Sequence, residues 1–289
     1  MLDARRPVLR HPVLVTPRAT PNAPGTYLYW SARRIEKVAQ DNGIQLDRFR
    51  RWSLTSPSVP FVPQLQLGNS ERTTRTRYEV AQKISRALGD RPAKAFTMPP
   101  PAPFAAGTGT VEFARYIGAD PKPEVLLHTR TQDAAGRRVD VVMFGSLDNT
   151  EFRTSDTVED GWTSSAFWAV RNLLASKGRE HGWGDGQEMG MEALKIALQQ
   201  GSSGPDTNPN DPSSRGFTLA RAQHCQWCAV VYLDVELDHD RWFLENEAGM
   251  EDAHRIVVGA PLWARTGSGG SLTRYWPRRR RSLLPWRNC

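Results

Sequence analysis

The stretch HCQWC, residues 224–228, holds side chains that bind zinc or exchange disulfides. His224, Cys225 and Cys228 offer three ligands where a structural zinc site takes four, and the third cysteine, Cys289, lies at the far end of the chain. A dithiol redox motif sets its first cysteine at a helix N-terminus, where the dipole lowers the thiol pKa. Here the motif runs into AVVYLDVEL, whose alternation is that of a strand. Residues three apart on an extended chain point to opposite faces. HCQWC is therefore expected to be the entry to a strand with a cysteine packed in the core, holding neither metal nor redox centre. No cofactor is implied.

The carboxylates after it obey the same parity. Ala229, Val231, Leu233, Val235 and Leu237 share one face, and Val230, Tyr232, Asp234, Glu236, Asp238 and Asp240 the other. That pattern predicts a half-buried strand with a wet acidic face. A divalent cation would suit such oxygens; a solvated face is the expected state, and a neighbouring arginine strand would relieve the repulsion. Gly182-Trp183-Gly184-Asp185-Gly186 has the glycines of a phosphate-cradling loop. Such a loop needs a strand before it, and a helical pattern precedes this one, so it is expected to connect two helices. Trp183 and Asp185 are candidates for lining a ligand site. Gly145-Ser146-Leu147-Asp148-Asn149 follows a strand, and ligands gather at carboxyl ends of strands. Gly145, Ser146 and Asn149 are thus further ligand-contact candidates. The catalytic arrangement on offer is Ser146 as nucleophile, His128 of the paired strand as base, and Asp148. The G-x-S-x-G elbow is absent, however, and serine and asparagine in a turn more often satisfy the backbone.

These segments sit among elements legible from periodicity. TYLYW (26–30) is a short aromatic strand, and Ser31 caps the helix that follows, with Ile35, Val38 and Ala39 on one face. A second helix over 70–90 carries Val80, Ala81, Ile84 and Leu88 at helical spacing. Residues 91–106 are proline-rich and are expected to be a loop without regular structure. Strands are predicted at 110–118, 124–132 and 137–145, the last two as a hairpin across DAAG. Helices are predicted at 162–178 and 187–201, a mobile loop at 201–215, and a buried strand at 255–265. The expected fold is α+β: a mixed β-sheet with helices packed on one or both faces and disordered basic tails at both ends. One domain spans 26–265, between a disordered segment at 1–25 and a Gly/Ser linker with an arginine-rich tail at 266–289.

The net charge of +7 over 289 residues is concentrated at those ends. Arg5, Arg6, Arg10 and Arg18 face one acid, and Arg274, Arg278, Arg279, Arg280, Arg281 and Arg287 face none. The body is close to neutral, which is not the footprint of a nucleic-acid-binding surface. Arg278–Arg281 form a candidate contact for an anionic membrane or nucleic acid. No run reaches the roughly 18 apolar residues of a transmembrane segment. Three cysteines in a long chain argue for a reducing cytoplasm.

In order, YLYWSARRIEKV, TRTRYEVAQKI, EVLLHTRTQ, VVMFGS and VVGAPLWAR resemble a bacterial family of unknown function common in actinomycetes. That resemblance covers roughly residues 26–265. It implies one α+β unit and carries no activity or catalytic residue with it. The functional expectation is a non-enzymatic cytoplasmic protein that binds an unknown small ligand or protein partner through the 145–149 and 182–186 loops. The alternatives are a hydrolase working at Ser146, and a tether acting through the arginine tail.

Overall fold

In a computed structural model of the chain, the structure describes residues 25–46, 76–97, 99–116, 124–152, 185–198, 217–242, 244, 249–266 and 271–275. The expected helix at 162–178, the loop at 201–215, residues 1–24, Trp183 and Arg278–Arg281 lie outside them.

Among the described residues there are three α-helices: α1 (Ala32–Asp41), α2 (Arg77–Leu88) and α3 (Gly186–Leu198). The strands are β1 (Thr26–Trp30), β2 (Pro92–Ala93), β3 (Phe104–Tyr116), β4 (Glu124–Gln132), β5 (Arg138–Ser146), β6 (Phe217–Glu236), β7 (Ala253–Thr266) and β8 (Leu272–Arg274). The fold is mixed α+β but mostly strand, and its sheet closes on itself. Going round, β3 pairs β4, β4 pairs β5, β5 pairs β7, β7 pairs β6, and β6 returns to β3. Every pairing in the ring is antiparallel except β5 with β7. Numbered within the barrel, the order is 1-2-3-5-4 with a helix between the third and fourth strands. This is the Greek-key connectivity of an OB-type barrel.

Alternation along each strand fills the barrel. Val125 and Leu127 of β4, Val139, Val141 and Met143 of β5, Phe113 of β3, Trp227 and Ala229 of β6, and Val257 of β7 form one buried cluster. The intervening residues Leu126, Val142, Phe144, Ile256 and Val258 pack outward against α3. Because both faces of β5 are covered, all nine of its residues are buried. Helices α1 and α2 cover a second outer patch, where Ile35, Val38, Ala81, Ile84 and Leu88 meet Cys228, Leu262 and Trp263. In OB-type barrels the faces of strands two and three bind oligonucleotides. Here those strands are β4 and β5, and α3 occupies their outer face.

Local chemistry sets the element ends. The Thr76 side chain accepts from Glu79 N while Glu79 accepts from Thr76 N, a reciprocal capping box that starts α2 at Arg77. In the β4–β5 turn the Asp133 carboxylate accepts from the amides of Ala135 and Arg137 at 2.9 and 2.8 Å. Gly136 there has φ +79°, which L side chains rarely adopt.

Two expectations are corrected. The proline-rich segment is not structureless: β2 pairs parallel with the start of β3, and the chain then folds across one end of the barrel. Phe96 enters the barrel core there, 4 % exposed. The segment after 266 does not simply release the chain. β8 pairs with β6, Tyr275 N donates to Leu219 O at 2.8 Å, and Arg274 pairs with Glu151 at 2.7 Å.

Candidate functional site

Strand β7 changes neighbours along its length. From Ala253 to Gly259 it lies beside β5, and from Trp263 to Thr266 beside β1. The C-terminal end of β5 therefore splays away from β7, and β1 enters the gap. Tyr29 of β1 is 1 % exposed and closes this mouth of the barrel. Its ring lies against Gly145, where a Cβ would overlap the phenol. The Tyr29 hydroxyl accepts from Asn149 Nδ2 at 3.3 Å and from the Ser146 amide. Burial pushes its pKa up, against the opposing effects of Arg34, Asn149, Ser31 and Ser146. The chain beyond β5 is tied to β1 by Glu151 N donating to Leu28 O at 3.1 Å and by a bridge between Tyr29 and Thr150.

Helix α1 starts at this mouth. Ser31 N donates to Leu262 O at 3.0 Å, which anchors the turn from β1 into the helix. The Ser31 hydroxyl makes no capping bond to the helix, contrary to the expectation from its residue type. The residue is 1 % exposed. Its Oγ neighbours the Tyr29 phenol and interacts with it weakly, and among the described residues no group meets it at full hydrogen-bonding distance and angle. The first turn of α1 has no acidic residue; it carries Arg33 and Arg34. Cations at a helix N-terminus oppose the helix dipole. Arg34 is 7 % exposed, and its Nη1 donates to the Tyr232 hydroxyl at 2.9 Å. Tyr232 lies where the β6–β7 register shifts between Val231 and Leu233.

Of the loop residues read as ligand contacts, Gly145, Ser146 and Asn149 are at this mouth. Asp185 is held elsewhere: its carboxylate accepts from Gln187 N at 2.9 Å at the start of α3 and pairs with Arg241. Desolvation raises the Asp185 carboxyl pKa, but those contacts outweigh it and the net shift is downward.

Ser146, His128 and Asp148 are not brought together as a triad. Ser146 pairs with Glu124 and His128 with Val142. Four residues of strand separate them, about 13 Å. The Ser146 hydroxyl instead accepts from Asp148 N at 3.3 Å and caps the short 3-10 turn Leu147–Asn149. His128 Nε2 lies 2.9 Å from Asp140 Oδ1. Asp140 also accepts from Arg138 Nε at 2.6 Å, has Arg130 Nε at 3.5 Å, and is fully buried. Burial raises the Asp140 pKa, but His128 and Arg138 outweigh it and the net shift is downward. This ion cluster is satisfied within β4 and β5, and Ser146 is not part of it.

HCQWC lies in the middle of a 20-residue strand, not at its entry. Cys225 faces the barrel interior and Cys228 the patch under α1 and α2, so both are buried and the two do not share a site. Burial pushes each thiol up to about 12. His224 is exposed with φ +51°, beside a register shift opposite Gly109–Val111. The acidic face is also redrawn. The register shift at Tyr232 breaks the alternation, so Leu233, Val235 and Leu237 pack toward α3 while Asp234 turns inward. Asp234 meets Arg255 in a two-pronged pair, both contacts 2.7 Å, and also accepts from Ala102 N at 2.8 Å. Arg255 Nη1 reaches Phe96 O at 3.1 Å. Asp238 caps the turn after β6, accepting from Asp240 N at 3.0 Å.

Ser31 and Arg34 were outside the expected site. The signal available was two arginines, with no acid, in the first turn of a helix preceded by a serine. Compared with known proteins, this chain gives no match to a protein-family model, a curated protein or a solved structure. Among the described residues no helix is long and apolar enough to cross a membrane.

Proposed function

We propose that this protein binds a small ligand without transforming it, at the mouth where β1 separates the ends of β5 and β7. The observation that carries this reading is the Ser31 hydroxyl, buried beside the Tyr29 phenol at the start of α1 with no well-formed hydrogen bond among the described residues. Buried polar groups are nearly always satisfied, and each exception calls for an explanation. A ligand that supplies the missing partner explains it. The neighbouring groups, Arg34, Asn149 and the Tyr29 hydroxyl, are of the kind that orient a ligand. Separation of Ser146 from His128 removes the hydrolase geometry that the sequence offered. The two buried free thiols are in keeping with a reducing cytoplasm.

The test is native mass spectrometry of the full chain after incubation with a metabolite extract. The expected result is a discrete small-molecule adduct on the wild type that is lost in Asn149→Leu, with the circular dichroism spectrum unchanged. An unmodified mass under all conditions, or an adduct indifferent to Asn149→Leu, overturns the proposal.

A further inference from the structure

We infer that the turn between β6 and β7 is an acid-sensitive latch on the start of α3, worked by His254. The turn holds that helix through its side chains. Gln187 Oε1 accepts from Trp242 Nε1 at 2.8 Å and from Asp238 N at 3.3 Å, and Arg241 pairs with Asp185. Leu237, Leu244 and Met250 belong to the same apolar cluster as Met191 and Leu194 of α3. His254 closes the base of the turn, because Leu237 N donates to its carbonyl at 2.8 Å. It is also the extra residue of a bulge: β5 advances from Arg138 to Val139 while β7 advances from Ala253 to Arg255. Its imidazole Nε2 is buried and has no hydrogen-bond partner among the described residues. The ring lies nearly parallel to that of the exposed His239, with 11° between planes and 6.4 Å between centroids. A neutral imidazole fits there at modest cost. A charged one carries a hydrogen on both nitrogens, so Nε2 becomes a donor with nothing to receive it among the described residues. A proton on His239 as well sets two cations side by side. The other charges that act on the ring are Arg137 and Asp133 of the β4–β5 turn, themselves paired at 2.7 Å, and Glu236 at the end of β6. The flanking Asp252 and Arg255 are engaged by Arg138 and Asp234. Burial and Arg137 hold the His254 pKa below its ordinary 6.5, against Glu236 and Asp133. The closed turn therefore takes up the proton less readily than the open one. Its stability is fully present above pH 6.5 and is lost as pH falls below that value toward the folded pKa. Opening brings water to Nε2 and loosens the contacts that hold the start of α3.

The experiment follows amide hydrogen exchange of the full chain from neutral to mildly acid pH, corrected for the intrinsic exchange rate, beside an NMR titration of the imidazoles. The Leu237 amide is expected to lose protection by up to about tenfold per pH unit below the ordinary histidine pKa, while the amides of the β4–β5 ladder keep theirs. His254→Phe keeps a ring in place and takes up no proton, so it is expected to flatten that dependence. His239→Gln removes the neighbouring charge, and the His254 midpoint is expected to rise. A His254 midpoint at or above 6.5 overturns the inference. So does Leu237 protection that falls equally in wild type and His254→Phe. Loss of protection across β4 and β5 at the same pH overturns it too, since the whole fold rather than the turn would then be responding. Where His254→Phe does not fold, the His254 midpoint and the Leu237 exchange of His239→Gln decide: a midpoint and a pH dependence unmoved from wild type overturn the inference.

Discussion

At one end of the barrel Arg255 and Asp234 meet through two 2.7 Å contacts, and the remaining groups of both reach the proline-rich segment at Phe96 and Ala102. At the other end Tyr29 fills the opening, but Ser31 beside it makes no well-formed hydrogen bond among the described residues, and two arginines occupy the first turn of a helix. Both ends bury polar groups. In the first, donors and acceptors balance within the chain, which is the signature of structure. In the second, the Ser31 hydroxyl makes no well-formed hydrogen bond among the described residues, and that is where the proposed binding reading rests. The difference explains why the most conspicuous charges, on β4, β5, β6 and β7, are not the candidate site.

The largest expected effect is therefore at the balanced end. Asp234→Ala leaves Arg255 buried and uncompensated, and is expected to cost about 3–5 kcal/mol in urea unfolding. The double variant Asp234→Ala with Arg255→Met removes both charges and is expected to recover part of that loss. A single-variant cost below about 1 kcal/mol, the scale of an exposed pair, would mean that this end is not closed by the pair.

At the mouth, Gly145→Ala sets a methyl group into the space of the Tyr29 phenol. The expected cost is about 1–3 kcal/mol, the usual range for overpacking a core. Tyr29→Phe removes the hydroxyl that the methyl meets, so the double variant is expected to be less destabilised than the two single costs added together. Strict additivity in denaturant unfolding would place Tyr29 away from Gly145 and dissolve the mouth as described.

How far was this arrangement legible in the sequence? The strands of the 124–146 hairpin, the apolar stripes of α1 and α2, and the opposite facing of Cys225 and Cys228 all followed from periods of 2 and 3.6. Barrel closure did not follow, because it depends on β6 being long enough to pair with both β3 and β7, and a twenty-residue strand has no local marker. The inward turn of Asp234 was hidden for a different reason. One extra residue at Tyr232 reverses the facing of everything after it, so parity read from Ala229 fails beyond Val231. Phe96 lies in a stretch whose prolines argued for a loop, and only tertiary packing, against the barrel's apolar cluster and Arg255, makes it part of the core. At the mouth, Gly145, Ser146 and Asn149 were found from their place after a strand. Ser31 was taken for an ordinary cap, because residue type alone does not reveal which way a hydroxyl turns.

The charges on the outer face of β4 and β5 sharpen the comparison through pH. The folded Asp140 carboxyl lies below its ordinary pKa of 3.8 because His128 and Arg138 hold it ionised. A depressed folded pKa adds stability at pH above the unfolded value, and that stability is lost as pH falls through the folded one. Unfolding midpoints measured from pH 7 downward should therefore decline in acid, and Asp140→Asn should flatten the decline while lowering stability at neutral pH. An unchanged acid limb in Asp140→Asn would show that Asp140 does not hold its proton differently in the folded and unfolded chain.

The smallest effect separates the two helix starts. Thr76 and Glu79 satisfy each other's amides at α2, whereas Ser31 satisfies none at α1. Thr76→Ala is thus expected to cost about 1 kcal/mol. Ser31→Ala, at a position of the same kind, is expected to cost less than about 0.5 kcal/mol, since no capping bond is lost. Chemical denaturation of the two variants side by side measures the contrast directly. Equal losses would mean that Ser31 caps α1 after all. A neutral Ser31→Ala beside a costly Thr76→Ala would show that α1 begins with a hydroxyl its own fold does not use.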